Sequence, residues 1–412
     1  MRRRVISLII VSAVITTAIT LKYAISTFHN PVLNIDQNNI NKTKVSPQRL
    51  FDNTWQIVKN EYYDPNFNNQ YWLRWKRHYS GKIKTPDDAK VAIDTMIASL
   101  DDPYSRFLSK EDFAEQNSSI SSKFSGIGVN IINVSGKIKV LNVLENTPAQ
   151  FADIKAGDIL ISVDDKKVSG MSLAEVSSLV KGPINTFVNI NVLRGDELLK
   201  KKILRKEITI KTVKSSVIDD IGYIQITSFI SNSTPNEFLE ALENTDETKG
   251  LIIDLRGNTG GLLPNAVFIS NLFLDNGSKI VSIVGRNGYH YDVLAQDNNV
   301  DIQKPVVLLI DGSSASASEI LSGALKDYKR AKLVGTKTYG KGMVQKIISL
   351  PNETGINLTV AKYLTPSGKD INKQGIEPDI VENLTIKDIT EKNDRQFEKA
   401  KDVLESLILA GK

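Results

Sequence analysis

The spacing of apolar residues changes along the chain and first predicts a helical segment. Apolar positions in the stretch that begins at Ser46 fall on one helical face: Leu50, Trp55, Val58 and Tyr62. A second helix is predicted where Thr85 and Pro86 occupy the cap and first-turn positions. We therefore expect a small helical domain over residues 46–115.

From Lys123 onward the apolar period shifts toward two. The segment "GVNIINVSGKIKVLNVLENTPA" predicts two strands joined by a turn at Ser135 and Gly136. A strand with a hairpin, the helix "SLAEVSSLVKG" and the alternating strand "TFVNINVLRG" follow. This order predicts a compact β-rich module over residues 123–208.

The next region alternates buried strands with helices. "GLIIDLRGNTGGLLPNAVFISNLFL" runs from an apolar strand through a Gly-rich turn into a helix, and "KPVVLLIDGSSASASEILSGALKDY" repeats the order. This pattern predicts an α/β core over residues 209–390, and a terminal helix over residues 391–412. The fold class expected is a multidomain α+β and α/β protein.

The N-terminus carries an export pattern within residues 1–30. Three arginines precede an uncharged apolar run from Val5 to Leu21. A run of this length lies at the short limit of a membrane span, about 17–25 residues. A cleaved signal and a retained membrane anchor are both open, and in either case we expect an exported protein.

Composition narrows the function classes. The 412 residues allow two or three domains, and the net charge of +5 comes from 52 basic and 47 acidic residues spread along the chain. This even spread argues against a nucleic-acid partner. The absence of cysteine excludes disulfides, thiolate metal sites and a cysteine nucleophile, and we expect no metal or cofactor.

Ser316 is the first candidate for chemistry. It lies between a buried strand, residues 306–310, and a helix that begins near Ala317. Ser316 and Glu319 form the S-x-x-E pattern of a capping box, so a structural cap is one interpretation. A nucleophile is the other, because the free N–H groups of a helix N-terminus, including that of Ala317, can stabilise an oxyanion.

A serine nucleophile needs a base. The histidines, His29, His78 and His290, do not follow predicted core strands. Lys341 is the alternative, provided that burial keeps its amine neutral, and Gln345 would lie on the same face if this segment were a strand. A surface lysine in a Gly-rich loop remains the competing interpretation.

Two Gly-rich turns complete the candidates. In "DLRGNTGGLL", Gly260 and Gly261 are candidates for the second oxyanion donor, with a simple tight turn as the alternative. In "FSGIGVNI", exposed amides could hold the carboxylate of a peptide terminus, or the turn could merely start a strand. The residues of this second candidate are Ser125, Gly126, Ile127 and Gly128.

Together these segments resemble the carboxyl-terminal processing peptidases, also called tail-specific proteases. The resemblance covers about Ser46 to Asp379 and rests on seven segments in the family's order: "LDDPYSRFL", "FSGIGV", "AGDILISVD", "DLRGNTGGLL", "SASASEI", "GTKTYGKGMVQ" and "YLTPSGKDINKQGIEPDI". It implies a helical N-terminal domain, a PDZ-like domain and a protease core of the crotonase and Clp-like α/β type.

The resemblance also implies roles. Ser316 would be the nucleophile, Lys341 its base, Gln345 the support of that lysine and Ala317 an oxyanion donor, while the PDZ-like domain would capture C-terminal tails of protein substrates. The implied location is the bacterial periplasm or the thylakoid lumen, where maturation of a photosystem II reaction-centre precursor is one implied task. Envelope quality control, an inactive tail-binding scaffold and a Ser-Lys amidase or signal peptidase are the alternatives.

Overall fold

The computed structural model describes residues 43–121, 123–297, 302–391 and 393–411. The predicted export segment, residues 1–30, lies outside these residues. Within the part of the chain that is described, no helix is both long and apolar enough to cross a bilayer. The chain forms two compact units, one from the residues up to Glu115 together with those from Thr212, and one from residues 116–211.

The described helices are α1 Pro47–Glu61, α2 Leu73–Tyr79, α3 Pro86–Ala98, α4 Lys110–Ser121, α5 Pro148–Phe151, α6 Leu173–Val180, α7 Thr234–Asn244, α8 Leu263–Asn271, α9 Ala317–Asp327, α10 Ile386–Glu391 and α11 Arg395–Ala410. The described strands are β1 Arg106–Leu108, β2 Lys123–Gly126, β3 Val129–Val134, β4 Lys137–Val143, β5 Ile159–Val163, β6 Lys166–Lys167, β7 Phe187–Arg194, β8 Glu197–Leu204, β9 Lys206–Thr209, β10 Val213–Ile218, β11 Ile221–Ile226, β12 Gly250–Asp254, β13 Lys279–Gly285, β14 His290–Leu294, β15 Val306–Ile310, β16 Lys332–Gly335, β17 Met343–Ser349, β18 Gly355–Leu364 and β19 Ile380–Val381.

A six-stranded sheet forms the centre of the first unit, in the order β10-β11-β12-β15-β16-β19. All neighbours in this sheet are parallel except β10 and β11. Every residue of β12 and β15 is buried, as expected for parallel strands covered on both faces. The carboxyl ends of these two strands lead into the two turns that were singled out in the sequence.

A second, antiparallel sheet places β18 between β1 and β13, with β17 also paired to β18. The helices α1 and α3 do not form a domain of their own, contrary to the boundary expected at residues 46–115. Their buried residues, such as Phe51 and Ile93, share one continuous core with Ile356 and Tyr363 of β18. The amphipathic helices cover the sheet because neither surface alone could bury its apolar side.

The C-terminal helix α11 covers the other face of the six-stranded sheet. Its Ala400 and Leu404 are fully buried against Ile252 and Leu309. The helix therefore belongs to the core of the first unit, and not to a separate terminal segment as the expected boundary at residue 391 implied.

The second unit is the predicted β-rich module. Its main sheet has the order β3-β4-β5-β7-β8, and a small sheet pairs β2 with β9. The predicted turn at Ser135 and Gly136 joins β3 to β4, and both residues have positive φ. Ser172 caps α6 through a capping box with Glu175, which explains why the helix begins there.

Candidate active site

Ser316 lies in a strained turn between β15 and α9. Its φ is 56° and its ψ is −113°, a backbone conformation that L-residues other than glycine rarely adopt. The residue is partly exposed, whereas Ala315 and Ala317 on either side are buried. Such strain persists only where the surrounding contacts hold it, and it is typical of functional turns.

The neighbouring serines have structural partners. The hydroxyl of Ser314 donates to the Leu255 carbonyl at 2.8 Å, and that of Ser318 donates to the Asn258 carbonyl at 2.9 Å. These bonds hold the turn before α9 against the turn after β12. Ser313 is exposed at the surface.

Buried Glu319 joins the Ser316 turn to the Lys341 segment. Its Oε2 accepts the backbone N–H of Ser316 and that of Lys341, each at 2.9 Å. Its Oε1 accepts the Thr338 hydroxyl at 2.6 Å and the Gly340 N–H at 2.7 Å. One carboxylate thus satisfies four donors, so Glu319 does more than complete half of a helix cap.

Gly260 lies directly against the Ser316 turn. A Cβ atom at this position would come within 2.7 Å of the Ala315 carbonyl oxygen and 2.8 Å of Ser316 Cβ, at a φ of 98°. The Gly260 N–H donates to Asn258 Oδ1 at 2.9 Å. Gly260 is therefore a residue of close approach whose own amide is already engaged.

The two other candidate oxyanion donors differ from Gly260. Among the hydrogen bonds of the described residues, neither the Ala317 N–H nor the Gly261 N–H has an acceptor. Ala317 is the first residue of α9, where the amide carries the positive end of the helix dipole. These two amides are the ones that a developing oxyanion could use.

Lys341 is half-buried and precedes β17, so it does not lie in a strand as its assumed pairing with Gln345 required. Its Nζ lies 4.8 Å from the centre of the Tyr104 ring, and no hydrogen bond joins it to Ser316 in the described structure. Burial lowers the pKa of Lys341, while the charges of Asp102 and Glu319 raise it. Burial thus favours the neutral amine that a general base must have.

Gln345 lies at a β-bulge, where it is paired with Thr359 while the preceding residue is paired with Ala361. Its Nε2 donates to Thr359 Oγ1 at 3.3 Å. The bulge, rather than strand alternation, therefore sets the direction of the Gln345 side chain.

The described histidines do not contribute a base. His290 contacts Asp292 at 3.0 Å at the surface, and His78 is exposed on α2. His29 lies outside the described residues. No group of three or more His, Asp or Glu residues in the described chain is arranged to hold a metal ion.

The second unit contains a groove of about 230 Å³ beside the turn at residues 125–128. The Ile127 and Gly128 N–H groups have no acceptor among the described hydrogen bonds. Gly126 also lines the groove, whereas the Ser125 hydroxyl donates to the Gly182 carbonyl. The groove walls are mainly aliphatic and lie between α6 and β3.

Comparison with known proteins agrees with this geometry. Residues 220–382 match the model of peptidase family S41, and residues 125–204 match that of the PDZ domain. A carboxyl-terminal-processing protease of Synechocystis is 34% identical over 372 residues, which cover 87% of this chain and 86% of the relative. The chain belongs to peptidase family S41. It is a serine-type protease of the carboxyl-terminal processing group.

Two further matches each cover more than two thirds of this chain. A carboxy-terminal-processing protease of Bartonella bacilliformis is 39% identical, with 73% of this chain and 71% of the relative covered. The solved structure of a photosystem II D1 C-terminal processing protease is 33% identical, with a TM-score of 0.55 and coverage of 82% and 94%. The α/β fold with an inserted PDZ domain is confirmed by these matches.

Sequence reasoning did not anticipate several residues at this S41 site. Tyr104 lies under the Lys341 amine, the Tyr363 hydroxyl donates to the Ser316 carbonyl at 3.1 Å, and Thr359 contacts Gln345. The segments "LDDPYSRFL" and "YLTPSGKDI", on which the family resemblance rests, contain Tyr104 and Tyr363, and Thr359 precedes the second segment in β18. That was the signal which could have placed them at the site.

Proposed function

We propose that this protease binds the C-terminal tail of an exported protein and cleaves it near its end, with Ser316 as nucleophile and Lys341 as general base. The observation that carries the proposal is the Glu319 carboxylate, which fixes the Ser316 and Lys341 backbones through one oxygen atom. A base and a nucleophile held by one acceptor can act as a pair.

The reaction proposed is acyl transfer. The neutral Lys341 amine turns from the Tyr104 ring toward Ser316 and takes the hydroxyl proton while Oγ attacks the peptide carbonyl. The oxyanion forms against the Ala317 and Gly261 N–H groups, and the Lys341 ammonium then protonates the leaving amine. Water, activated by the same amine, attacks the acyl-enzyme and releases Ser316.

The groove of the second unit supports the tail-binding part of the proposal. A peptide carboxylate can accept from the free N–H groups of Ile127 and Gly128, and the aliphatic walls can take an apolar terminal side chain. The peptide would extend β3 by main-chain hydrogen bonds. Binding of this kind recognises the C-terminus of a peptide and not an internal sequence.

We further propose an exported location, which the Arg-rich start and apolar run of residues 1–30 support. The 33% identity to a D1 processing protease supports a photosystem II reaction-centre precursor as a substrate in a photosynthetic source. Relatives named as bacterial processing proteases support an envelope substrate otherwise. A retained N-terminal segment would attach the protease to the membrane.

The test is cleavage of a peptide that ends in small apolar residues, followed by mass spectrometry. The wild-type chain should shorten the peptide, whereas Ser316→Ala and Lys341→Ala should not. Ser313→Ala is the matched control, because Ser313 is exposed in the same turn. Binding of the peptide without cleavage by the wild type would instead favour an inactive scaffold.

A further inference from the structure

Hydrogen bonds connect Gln345 to Asp102 through two different groups of Thr359, its side-chain hydroxyl and its backbone N–H. Gln345 Nε2 donates to Thr359 Oγ1 at 3.3 Å, and the Thr359 N–H donates to Ser105 Oγ at 3.0 Å. Ser105 Oγ then donates to Asp102 Oδ2 at 2.6 Å. The chain connects a predicted catalytic residue with a loop about 240 residues away in the sequence.

The Thr359 N–H and the Ser105 hydroxyl both donate in the direction of the Asp102 carboxylate. Because Ser105 gives its hydroxyl proton to Asp102, only its lone pairs face the Thr359 N–H. Hydrogen bonds that end on a charged acceptor are stronger than neutral ones and polarise one another. The Asp102 carboxylate therefore fixes the Ser105 hydroxyl, and with it the acceptor that holds the Thr359 backbone.

The Ser105 hydroxyl replaces a missing strand partner. β1 begins at Arg106, opposite Asn357, so the backbone of β18 has no partner from β1 at Thr359. Ser105 Oγ accepts the Thr359 N–H instead, and the Tyr63 N–H donates to the Thr359 carbonyl at 3.0 Å. Thr359 is thereby fixed opposite the bulge at Gln345.

The Gln345 amide has a defined orientation in the structure. Its Nε2 is directed to Thr359, so the Oε1 atom is the end of the amide left to accept from an amine. Lys341 needs an acceptor of this kind, because its Nζ can donate N–H while its lone pair faces Ser316. A flipped amide would present N–H groups to the lysine and could not hold it.

We propose that Thr359, held by Ser105 and Asp102, is a positioning residue that orients the Gln345 amide toward Lys341. This inference rests on the proposed function of Ser316 and Lys341. Thr359 is 1% exposed and Ser105 is 6% exposed, so neither hydroxyl serves solvent contact. The same loop carries Tyr104, whose ring lies under the Lys341 amine.

The experiment compares Thr359→Val and Thr359→Ser in the full chain, with kcat and KM measured on the tail peptide. Valine keeps the shape of the side chain but removes the acceptor, so kcat should fall about 10- to 100-fold while KM changes less than about twofold. Serine keeps the acceptor and should retain kcat within about threefold. Ser105→Ala removes the acceptor of the Thr359 N–H and should lower kcat as well.

Thr245→Val is the matched control. Thr245 is also 1% exposed and donates to the Ala241 carbonyl at 2.9 Å, but it lies at the end of α7 outside the site. Its loss of stability should resemble that of Thr359→Val, whereas its kcat should stay at the wild-type value. Thermal unfolding of all four variants separates a fold defect from a catalytic one, and Ser105→Ala provides the test if Thr359→Val does not fold.

A wild-type kcat in folded Thr359→Val or Ser105→Ala would overturn the inference, as would an equal loss in Thr359→Ser. The proposed function fails in a different way, by retained cleavage in Ser316→Ala or Lys341→Ala. These two results are distinguishable, because the wild type and the Ser316→Ala variant are assayed in the same series.

Discussion

The Tyr363 hydroxyl donates to the carbonyl oxygen of Ser316 over 3.1 Å. Tyr363 is 1% exposed, and burial raises the pKa of its hydroxyl well above the usual value, so the group remains a donor across the working pH range. The same carbonyl also accepts the Glu319 and Ile320 N–H groups. The strained turn is thus held on both sides, by α9 and by β18.

Tyr363→Phe should lower both stability and turnover. The lost hydrogen bond should cost about 0.5–1.5 kcal/mol in the free energy of unfolding. Relaxation of the Ser316 turn should reduce kcat with little change in KM. Denaturant unfolding and steady-state kinetics check both effects, and Tyr71→Phe on the exposed surface is the control. An unchanged kcat would show that Tyr363 does not hold the nucleophile.

Glu319→Gln should inactivate the protease. The amide would direct a donor at N–H groups that the carboxylate now accepts, and each unsatisfied buried group costs about 1–3 kcal/mol. The Ser316 and Lys341 segments would then separate. Peptide cleavage and thermal unfolding measure the loss, and Glu377→Gln, at an exposed ion pair with Lys337, is the control. Wild-type cleavage by Glu319→Gln would contradict the role given to the carboxylate.

The pH profile of kcat should depend on Lys341. A general base acts only when neutral, so activity should be lost as pH falls through the pKa of Lys341, which burial holds below its usual value. The Asp102 charge raises that pKa. Asp102→Asn should therefore move the acid limb of the profile to lower pH, besides reducing kcat through Ser105.

Asp101→Asn is the control for the pH experiment. Asp101 precedes Asp102 and has a φ of 54°, which asparagine tolerates, and it does not contribute to the Lys341 pKa. Its profile should match the wild type. A limb that moves to higher pH in Asp102→Asn would contradict the assignment of Lys341 as the base.

Gly260→Ala and Gly257→Ala test the close approach at the nucleophile. Both residues have positive φ, but a Cβ at Gly257 meets no atom within 4 Å, whereas a Cβ at Gly260 would overlap Ser316. Gly260→Ala should lower kcat by about 100-fold or more, because it displaces the reacting serine. Gly257→Ala should lose only the stability that a non-glycine residue loses at positive φ, and should keep its kcat. Equal kinetics in the two variants would mean that contact with Ser316 is unimportant.

Gly128→Ala and Gly136→Ala give a similar pair in the PDZ unit and test the proposed tail binding. A Cβ at Gly128 would lie 2.3 Å from Thr147 Cβ, whereas Gly136 has open space, and both have positive φ. Gly128→Ala should weaken tail-peptide binding, measured by calorimetry, while Gly136→Ala should bind like the wild type. Comparable binding by both variants would argue against the turn at residues 125–128 as the carboxylate site.

The sequence predicted local features well where a short pattern determines them. The strand, turn and helix around Ser316 were expected because the apolar run of β15 and the cap of α9 are adjacent in the chain. The helix start at Pro86 was expected for the same reason, since Thr85 caps it.

Contacts between distant segments were not predictable in this way. Ser105 and Thr359 are 254 positions apart, and no local pattern links them. The shared face of Lys341 and Gln345 was argued from strand alternation, which fails because Lys341 precedes β17 and a bulge lies at Gln345. The prediction of a separate helical domain was wrong, because amphipathic spacing shows that one face of a helix is buried but does not show which element buries it.

The PDZ unit is an insertion within the unit that carries Ser316 and Lys341, between Glu115 and Thr212. All residues of the inserted module are synthesised before Thr212, whereas the segment with Tyr104 and Ser105 meets its partner strand β18 only after residue 355 is added. The Asp394 side chain, which pairs with partly buried Arg256 beside β12, belongs to a segment that is synthesised after Ser316 and Lys341. The order of the chain thus places the whole PDZ domain ahead of Ser316 and Lys341 in synthesis, so the catalytic unit is the later of the two to be completed.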